Sequence, residues 1–584
     1  MVRRNTLAWG AIALLALQTA ACAAGPQSEP ADLVLKSGHV VTVDSALPEA
    51  EAVAVRGHTI VAVGSDAELE RYVGRQTEVI ELRGRLVLPG LIEGHGHFMG
   101  LGEQKLNLEL ANVKNWDEIV AMVGAAARDA APGAWIVGRG WHQEKWDRVP
   151  EPNVEGVPLH ASLDAVSANN PVFLRHASGH AAFANRRALE QGGVDRNTPN
   201  PEGGEIVKDA SGEPTGLLRE TAQRLVNAAY SRAQAARPEQ EKLAERRRIV
   251  ELASAEALSK GITSFQDAGS SFELVDFFKQ LETENALPVR LYVMIREGNQ
   301  ALEATLPRYL MTAGENDYLT VRALKVTIDG ALGSHGAWLL EKYDDMPAGH
   351  PSSHGMATVD PKSVERTAEL AIQHGFQLNV HAIGDRANRE VLDIYERTFK
   401  RFPDRKDLRW RIEHAQHLHP ADIPRFGALG VIASMQGVHA TSDGPWIVKR
   451  LGERRAREGA YVWRELIKTG AVIANGTDTP VEDVSPIASF YASVSRRMNN
   501  GQVFYGEQRM TREEALRSYT LNNAYAAFEE RHKGSLTAGK LADIVVLSKD
   551  IMRVPENEIP TASVDLTIVG GQVRYRRPEE VTRR

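Results

Sequence analysis

Over residues 32 to 88 the chain runs in short apolar-rich stretches: Asp32-Leu33-Val34-Leu35, His39-Val40-Val41-Thr42-Val43, Ala52-Val53-Ala54-Val55 and Ile60-Val61-Ala62-Val63. They are rich in β-branched residues and punctuated by Gly38, Gly57, Gly64 and Gly84, which predicts strands joined by tight turns. The same texture returns in Asp543–Leu547 and Val564–Val573. Termini often meet within a domain, so residues 32–88 and 535–580 are expected to pair into one small β-sandwich.

Between them the period changes. Eight candidate strands stand out: Leu91–His97, Ile262–Asp267, Val289–Ile295, Val321–Ile328, Gln377–His381, Leu408–His414, Val431–Met435 and Val472–Asp478. From the second onward most are separated by amphipathic helical stretches such as Lys362–His374 and Arg389–Lys400. Strands alternating with helices predict a parallel sheet, and eight of them predict a closed barrel. The fold class is therefore α/β, a (β/α)₈ TIM-like barrel over residues 89–534. The gap after the first strand, residues 100 to 260, is too long for a loop and reads as an insert. It carries helices at Asp117–Asp129, Ala222–Ala235 and Glu239–Lys260, and a loop-rich Gly/Trp stretch at 138–158. Trp141-His142-Gln143-Glu144-Lys145-Trp146 reads either as insert core or as a lid.

Composition narrows the picture. The 584 residues are 43% hydrophobic and 25% charged, which excludes a disordered or collagen-like chain. A net charge of -7 gives no basis for nucleic-acid binding. The first residues have the layout of an export signal: Arg3 and Arg4, the apolar Leu7 to Leu17, then Thr19-Ala20-Ala21-Cys22. Cys22 is the sole cysteine, so no disulfide can form within the chain. Its setting resembles a bacterial lipobox, with Thr19 where an aliphatic residue is usual; an ordinary secretory signal is the alternative. The expectation is a signal over 1–22, a tether over 23–31, and an exported cell-envelope protein touching membrane only through a lipid anchor. The expected partners are a small-molecule substrate and at most a second copy of the chain.

The candidate chemistry sits where the strands end. His95 and His97 are an i, i+2 pair closing the first strand, able to share one metal, although a chain with 18 His can contain one such pair by accident. Lys325 lies inside an apolar strand, which is costly unless the lysine is modified or paired, for instance with Asp329 or Asp267. His381 and His414 close the fifth and sixth strands, and Asp478 the eighth. Each alone is as readily a satisfied core residue. Together they lie at the carboxyl ends of strands one, four, five, six and eight, the face on which barrel active sites are built. Four His, one Lys and one Asp suit a two-metal set, with zinc the expected ion for imidazole ligands.

The motifs Leu88-Pro89-Gly90-Leu91-Ile92-Glu93-Gly94-His95-Gly96-His97, Asp329-Gly330-Ala331-Leu332-Gly333-Ser334, His381-Ala382-Ile383-Gly384-Asp385 and Glu413-His414-Ala415-Gln416 resemble the amidohydrolase superfamily. Ser178-Gly179-His180-Ala181-Ala182-Phe183-Ala184-Asn185 and Pro214-Thr215-Gly216 resemble its amidohydrolase-3 branch, which includes N-substituted formamide deformylases. The resemblance spans nearly the whole mature chain. It implies one or two divalent ions, with His95 and His97 on the more buried one, carbamylated Lys325 as bridge, and His381 and His414 on the second. Asp478 would touch metal and carry the proton of the attacking water. It further implies cleavage of a non-peptide carbon–nitrogen bond (amide, formamide or cyclic amide) by metal-activated hydroxide. A deaminase or an ester or lactone hydrolase is the alternative on the same barrel, and an inactive surface-anchored binding lipoprotein the alternative outside enzymes. Two positions depart from the family pattern: Glu93 for the usual Asp, outside the ligand set, and His335 for the usual Arg. His180, Asp329 and His335 are the expected substrate contacts.

Overall fold

The computed structural model describes residues 29–578 apart from 144–145, 155, 177–180, 202–203, 313, 315–317, 334 and 347–352. The export-signal and lipobox expectation, most of the tether, and His180 lie outside the described residues.

Eight strands make one parallel sheet: β1 (Leu91–Gly96), β2 (Ile262–Ser270), β3 (Arg290–Ile295), β4 (Leu319–Thr327), β5 (Gln377–Ala382), β6 (Arg411–His414), β7 (Ile432–Gln436) and β8 (Ile473–Gly476). They pair in sequence order, and the sheet rolls until β8 meets β1, giving a nearly closed barrel. Almost every residue of these strands is buried, as expected of a parallel sheet covered by helices. The sixth strand is shorter than the apolar run suggested. Asp407 and Arg409 take positive φ (52° and 50°), and the Arg409 guanidinium is tied to the Tyr525 carbonyl and Glu530, so the chain turns before pairing begins at Arg411.

β1 and β8 are the two ends of the hydrogen-bonded ladder, and side chains close the seam between them. The Asp478 N–H donates to the His95 carbonyl (2.7 Å) and the His97 N–H to the Thr479 carbonyl (2.8 Å). Glu93 reaches across, accepting from the Thr477 N–H (2.6 Å) and hydroxyl (3.1 Å). Asn523, fully buried, donates to the carbonyls of Ile92 (2.7 Å) and Asn475 (2.8 Å) and accepts from the Asn475 N–H (3.1 Å). Gly94 has no side chain because a Cβ there would lie 2.4 Å from the Asn475 carbonyl oxygen.

The opposite end of the barrel is plugged by the helix Leu521–Ala526. The Ala526 carbonyl accepts from Arg411 (2.7 Å) and Gln377 (2.8 Å), and the Asn523 carbonyl from Gln266 (2.8 Å). These bonds pair the helix's last carbonyls with polar side chains of β2, β5 and β6.

Both terminal segments fold beside the barrel. Ile544–Leu547 pairs antiparallel with Leu86–Pro89, so one six-stranded sheet contains strands from both ends of the chain. A second, four-stranded sheet holds Leu33–Lys36, Ala52–Arg56, Thr59–Gly64 and Glu78–Glu81, and both sheets contribute to one apolar cluster. Leu86–Pro89 leads straight into β1 through Gly90, whose N–H donates to the Asp543 carbonyl.

The segment between β1 and β2 holds helices at Trp116–Asp129, Gln223–Ala235 and Glu239–Ser259, close to those expected. It also holds a six-stranded sheet that the sequence reading missed, running through Ile136–Trp141 within the stretch read as loop. Gly138 and Gly140, read as loop signals, are instead sites of close packing: a Cβ on Gly138 would lie 2.9 Å from Leu110, and one on Gly140 2.9 Å from the Ala111 nitrogen. Trp141 is insert core, 1% exposed, with its indole N–H on the Leu174 carbonyl (2.9 Å).

Because Asn523 satisfies three buried backbone groups at the seam, Asn523→Ala should destabilise the protein by about 3 kcal/mol or more, at the ~1–3 kcal/mol expected for each stranded group. The measurement is the thermal unfolding midpoint, with the exposed Asn500→Ala as control; equal midpoints would assign the closure elsewhere.

Candidate metal centre

At the carboxyl end of the barrel, donor atoms of His95, His414 and Asp478 all lie within 4.8 Å of one another, and all three residues are buried. His95 is the penultimate residue of β1, His414 the last of β6, and Asp478 lies two residues beyond β8. His414 and Asp478 have positive φ (74° and 57°), as does Ala415 (42°). Left-handed backbone at such residues costs about 1–3 kcal/mol each and persists only where the surroundings impose it. Here the seam bonds at Asp478 and the ladder of β6 impose it.

The remaining members of the expected set pack around this trio. His97 follows β1, at the start of the helix Phe98–Leu106, with its Nε2 3.3 Å from Asp478 Oδ1. Lys325 Nζ lies 3.3 Å from His95 Nε2, and the lysine is only 4% exposed. The His381 ring stands edge-on to His414 with centroids 4.4 Å apart. All six residues thus occupy one barrel mouth.

Tautomers are set from behind. Glu413 hydrogen-bonds His95 Nδ1, and Gln436 Oε1 accepts from His414 Nδ1 at 2.7 Å. With those nitrogens protonated, each ring turns an Nε2 lone pair toward the cluster. Burial, with the Lys325 charge next for His95 and His381 and the His381 charge next for His414, lowers the pKa of all three imidazoles, that of His381 to about 3. They are neutral near pH 7, the state a metal ligand requires. Burial likewise lowers the Lys325 amine. Burial pushes the Asp478 carboxyl up, but the His97 hydrogen bond and the neighbouring imidazoles of His95, His414 and His439 outweigh it and hold it well below the usual range. The same contest, with His95 and then Arg411 and Lys325 as counterweights, leaves Glu413 at about 2.

The residues fit a divalent cation. Among the described residues His381 Nε2 is buried without a hydrogen-bond partner, 3.6 Å from Asp329 Oδ1, and a buried nitrogen so placed against an imidazole–carboxylate cluster suits a metal ligand.

Two of the expected substrate contacts, Asp329 and His335, have protein partners of their own, and Asp329 also borders the cluster, with Oδ1 3.6 Å from His381 Nε2. Asp329 is fully buried, and its carboxylate accepts from the N–H groups of Trp338 (2.9 Å), Ile383 (3.0 Å) and Gly384 (2.9 Å). It clamps the loop after β4 to the exit of β5, and burial raises its pKa to about 7 against those three donors. His335 (φ 59°) contacts Asp345 through Nε2 (3.0 Å) and packs on Tyr343, and no described contact joins it to the cluster. Glu93 is outside the ligand set as expected, but it is a seam residue rather than a bystander: burial raises its carboxyl to about 8 despite the donors from Thr477 and His95.

Sequence reasoning missed Glu413, Gln436 and His439, the last of which stacks on His414 with centroids 6.3 Å apart. The signal was the one used for the other ligands, a polar residue closing a β-rich run. It was not followed at β7, and Glu413 was shadowed by its neighbour His414.

The chain matches the family model described as Amidohydrolase family over residues 78–575. It is 35% identical to Protein LONG AFTER FAR-RED 3 of Arabidopsis thaliana over 94% of this chain and 92% of that protein. It is 28% identical to N-substituted formamide deformylase of Arthrobacter pascens over 94% of this chain and 98% of that enzyme. Among solved structures, an uncharacterized metal-dependent hydrolase from Pyrococcus furiosus is 25% identical, with a TM-score of 0.70, covering 89% of this chain and 100% of that one.

If Glu413 holds the His95 tautomer, Glu413→Gln should weaken zinc binding by about 10–100-fold. His335→Ala should leave it unchanged. Competition with a chromophoric chelator measures both, and equal affinities in all three proteins would remove Glu413 from the role.

Proposed function

The chain belongs to the amidohydrolase family, hydrolases acting on carbon–nitrogen bonds, and from that premise we propose that it cleaves a small amide, with a formamide or other N-acyl group as the scissile unit. The observation that carries the reading is the convergence of His95, His414 and Asp478, with the unpaired His381 Nε2 beside them, at the barrel mouth. The alignment with a formamide deformylase over nearly its whole length supports the choice of substrate class.

His95, His97, His381, His414 and Asp478 would hold the cation, zinc by the preference of an imidazole-rich set. A bound divalent ion supplies Lewis acidity, lowering the pKa of water and polarising a carbonyl. Asp478 handles the proton. Its carboxyl is held well below the usual range, so at neutral pH it is ionised and can accept a proton from the attacking water and pass it to the leaving nitrogen. Glu413 and Gln436 keep His95 and His414 in the liganding tautomer throughout. Lys325 is proposed to carry a carbamate: a buried amine with lowered pKa is available in its neutral, nucleophilic form, and addition to carbon dioxide with loss of a proton replaces a cation with an anion beside His95. Such a group could join two ions, whereas a mononuclear deaminase would have no use for it.

Metal content by plasma emission, together with formate or carboxylate release from N-benzylformamide and a panel of N-acyl amines, tests the proposal. The wild type should hold close to two ions, and Lys325→Ala fewer. Asp478→Asn should cut turnover by at least the ~10²–10⁴-fold of a lost acid–base group. One ion unaffected by Lys325→Ala would bring the mononuclear hydrolase or deaminase forward; no ion in either protein would favour the inactive binding protein.

A further inference from the structure

Beyond the expected ligands, one more imidazole faces this centre. His439 lies in the first turn of the helix Gly437–Gly459, which leaves β7 directly. That turn is fixed in place: the Gly437 N–H donates to Asn475 Oδ1 (2.9 Å), and a Cβ on Gly437 would lie 2.5 Å from Ser493 Oγ. The His439 side chain is therefore held at the barrel mouth by the same strand, β8, that precedes Asp478.

Its ring lies nearly parallel to that of His414, 12° between planes, and within electrostatic reach of Asp478. The residue is 6% exposed. Its two nitrogens differ. Nδ1 lies 3.2 Å from Gln416 Nε2, an amide nitrogen that can only donate, so Nδ1 is the acceptor and Nε2 carries a proton. Nε2 is buried and has no hydrogen-bond partner among the described residues. Asp443, one helical turn on and an electrostatic neighbour of this ring, accepts from the Tyr461 hydroxyl at 2.6 Å, and among the described residues no hydrogen bond joins it to His439 Nε2. A buried N–H without an acceptor costs about 1–3 kcal/mol, and an active site is where such a cost has a use.

We propose that His439 is a catalytic residue whose Nε2–H donates a hydrogen bond to the oxygen of the scissile carbonyl. The inference rests on the hydrolase reading above. As the water oxygen adds to the carbonyl carbon, the C=O π pair moves onto the oxygen, and a fixed donor there gains strength as that charge grows. When the pair returns to re-form the carbonyl, the carbon–nitrogen bond breaks, and the proton taken up by Asp478 goes to the nitrogen. A donor already in place and shielded from water needs no reorganisation at that moment. The geometry also separates His439 from the ligands: the tautomer set by Gln416 puts a proton, not a lone pair, on the free nitrogen.

The full chain, His439→Ala and His439→Gln are compared in three measurements: metal per chain, steady-state kinetics on the N-formyl and N-acyl panel, and the histidine tautomers read from two-bond ¹H–¹⁵N correlations of ¹⁵N-histidine-labelled protein. Metal content should be equal in all three. His439→Ala should lose about 10²–10³-fold in kcat with KM within a few-fold of wild type, the loss typical of one oxyanion donor. His439→Gln, whose amide N–H can still donate, should recover part of it. The signal absent from the His439 variants should be an Nε2–H tautomer. Unchanged kcat in His439→Ala overturns the proposal, as does loss of metal in that variant, which would make His439 a ligand. If the wild type turns over no member of the panel, the substrate reading fails by itself and the tautomer still decides: Nε2–H upholds the buried donor, Nδ1–H overturns it.

Discussion

The site depends on how the barrel closes. Seven strand pairs are joined by hydrogen-bonded ladders, the first three with register shifts, but the eighth junction, between β1 and β8, is made by Glu93, Thr477, Asn523 and a few backbone bonds around His95 and Asp478. Metal-ligand candidates come from both lips of that seam, His95 and His97 from one and Asp478 from the other. A ladder fixes side chains at the two-residue period of a strand. An irregular junction is free of that period, and so it can present an aspartate in left-handed backbone against two histidines spaced i, i+2.

Placing so many titratable groups in one buried mouth is an electrostatic problem, and the structure solves it by pairing polarity with position. Burial drives the imidazoles and the lysine toward neutrality. The carboxylates nearest the cluster, Asp478 and Glu413, are held low by the side chains that face them, His97 and His95 first for Asp478 and His95 and Arg411 for Glu413. Asp329 and Glu93, which face backbone N–H groups rather than cations, are pushed the other way. The sign of each shift thus follows what each acid faces, imidazole or cationic side chains for Asp478 and Glu413 and mainly N–H and O–H donors for Asp329 and Glu93.

Much of this was legible in the chain. The β-rich runs and the polar residues that end them located the barrel and gathered His95, His97, Lys325, His381, His414 and Asp478, because strand ends in a parallel barrel converge whatever their distance in sequence. What stayed hidden is what periodicity does not encode. Gly138 and Gly140 read as breaks, yet they are glycine because neighbouring groups press against the strand. The bracing role of Asp329 was hidden because no sequence pattern announces three backbone donors folding onto one carboxylate. His439 sits in a helix whose polar residues are normally a solvated face, and only the turn clamped at Gly437 brings it inward.

The same seam ties the centre to the stability of the fold. Glu93 and Thr477 are 384 residues apart, and His95 and Glu413 are 318 apart, so the cluster exists only once distant parts of the chain have met. A cation held jointly by His95 and Asp478 would span the one junction that lacks a ladder. It would bind the closed barrel and not the open chain, and mass action then makes the two equilibria inseparable: at a free metal concentration of ~100 Kd, closure gains about 2.7 kcal/mol. By reciprocity, whatever loosens the seam must weaken metal binding even where it touches no ligand. Asn523 and Glu93 are therefore as much a part of the metal centre, in thermodynamic terms, as the histidines they stand behind.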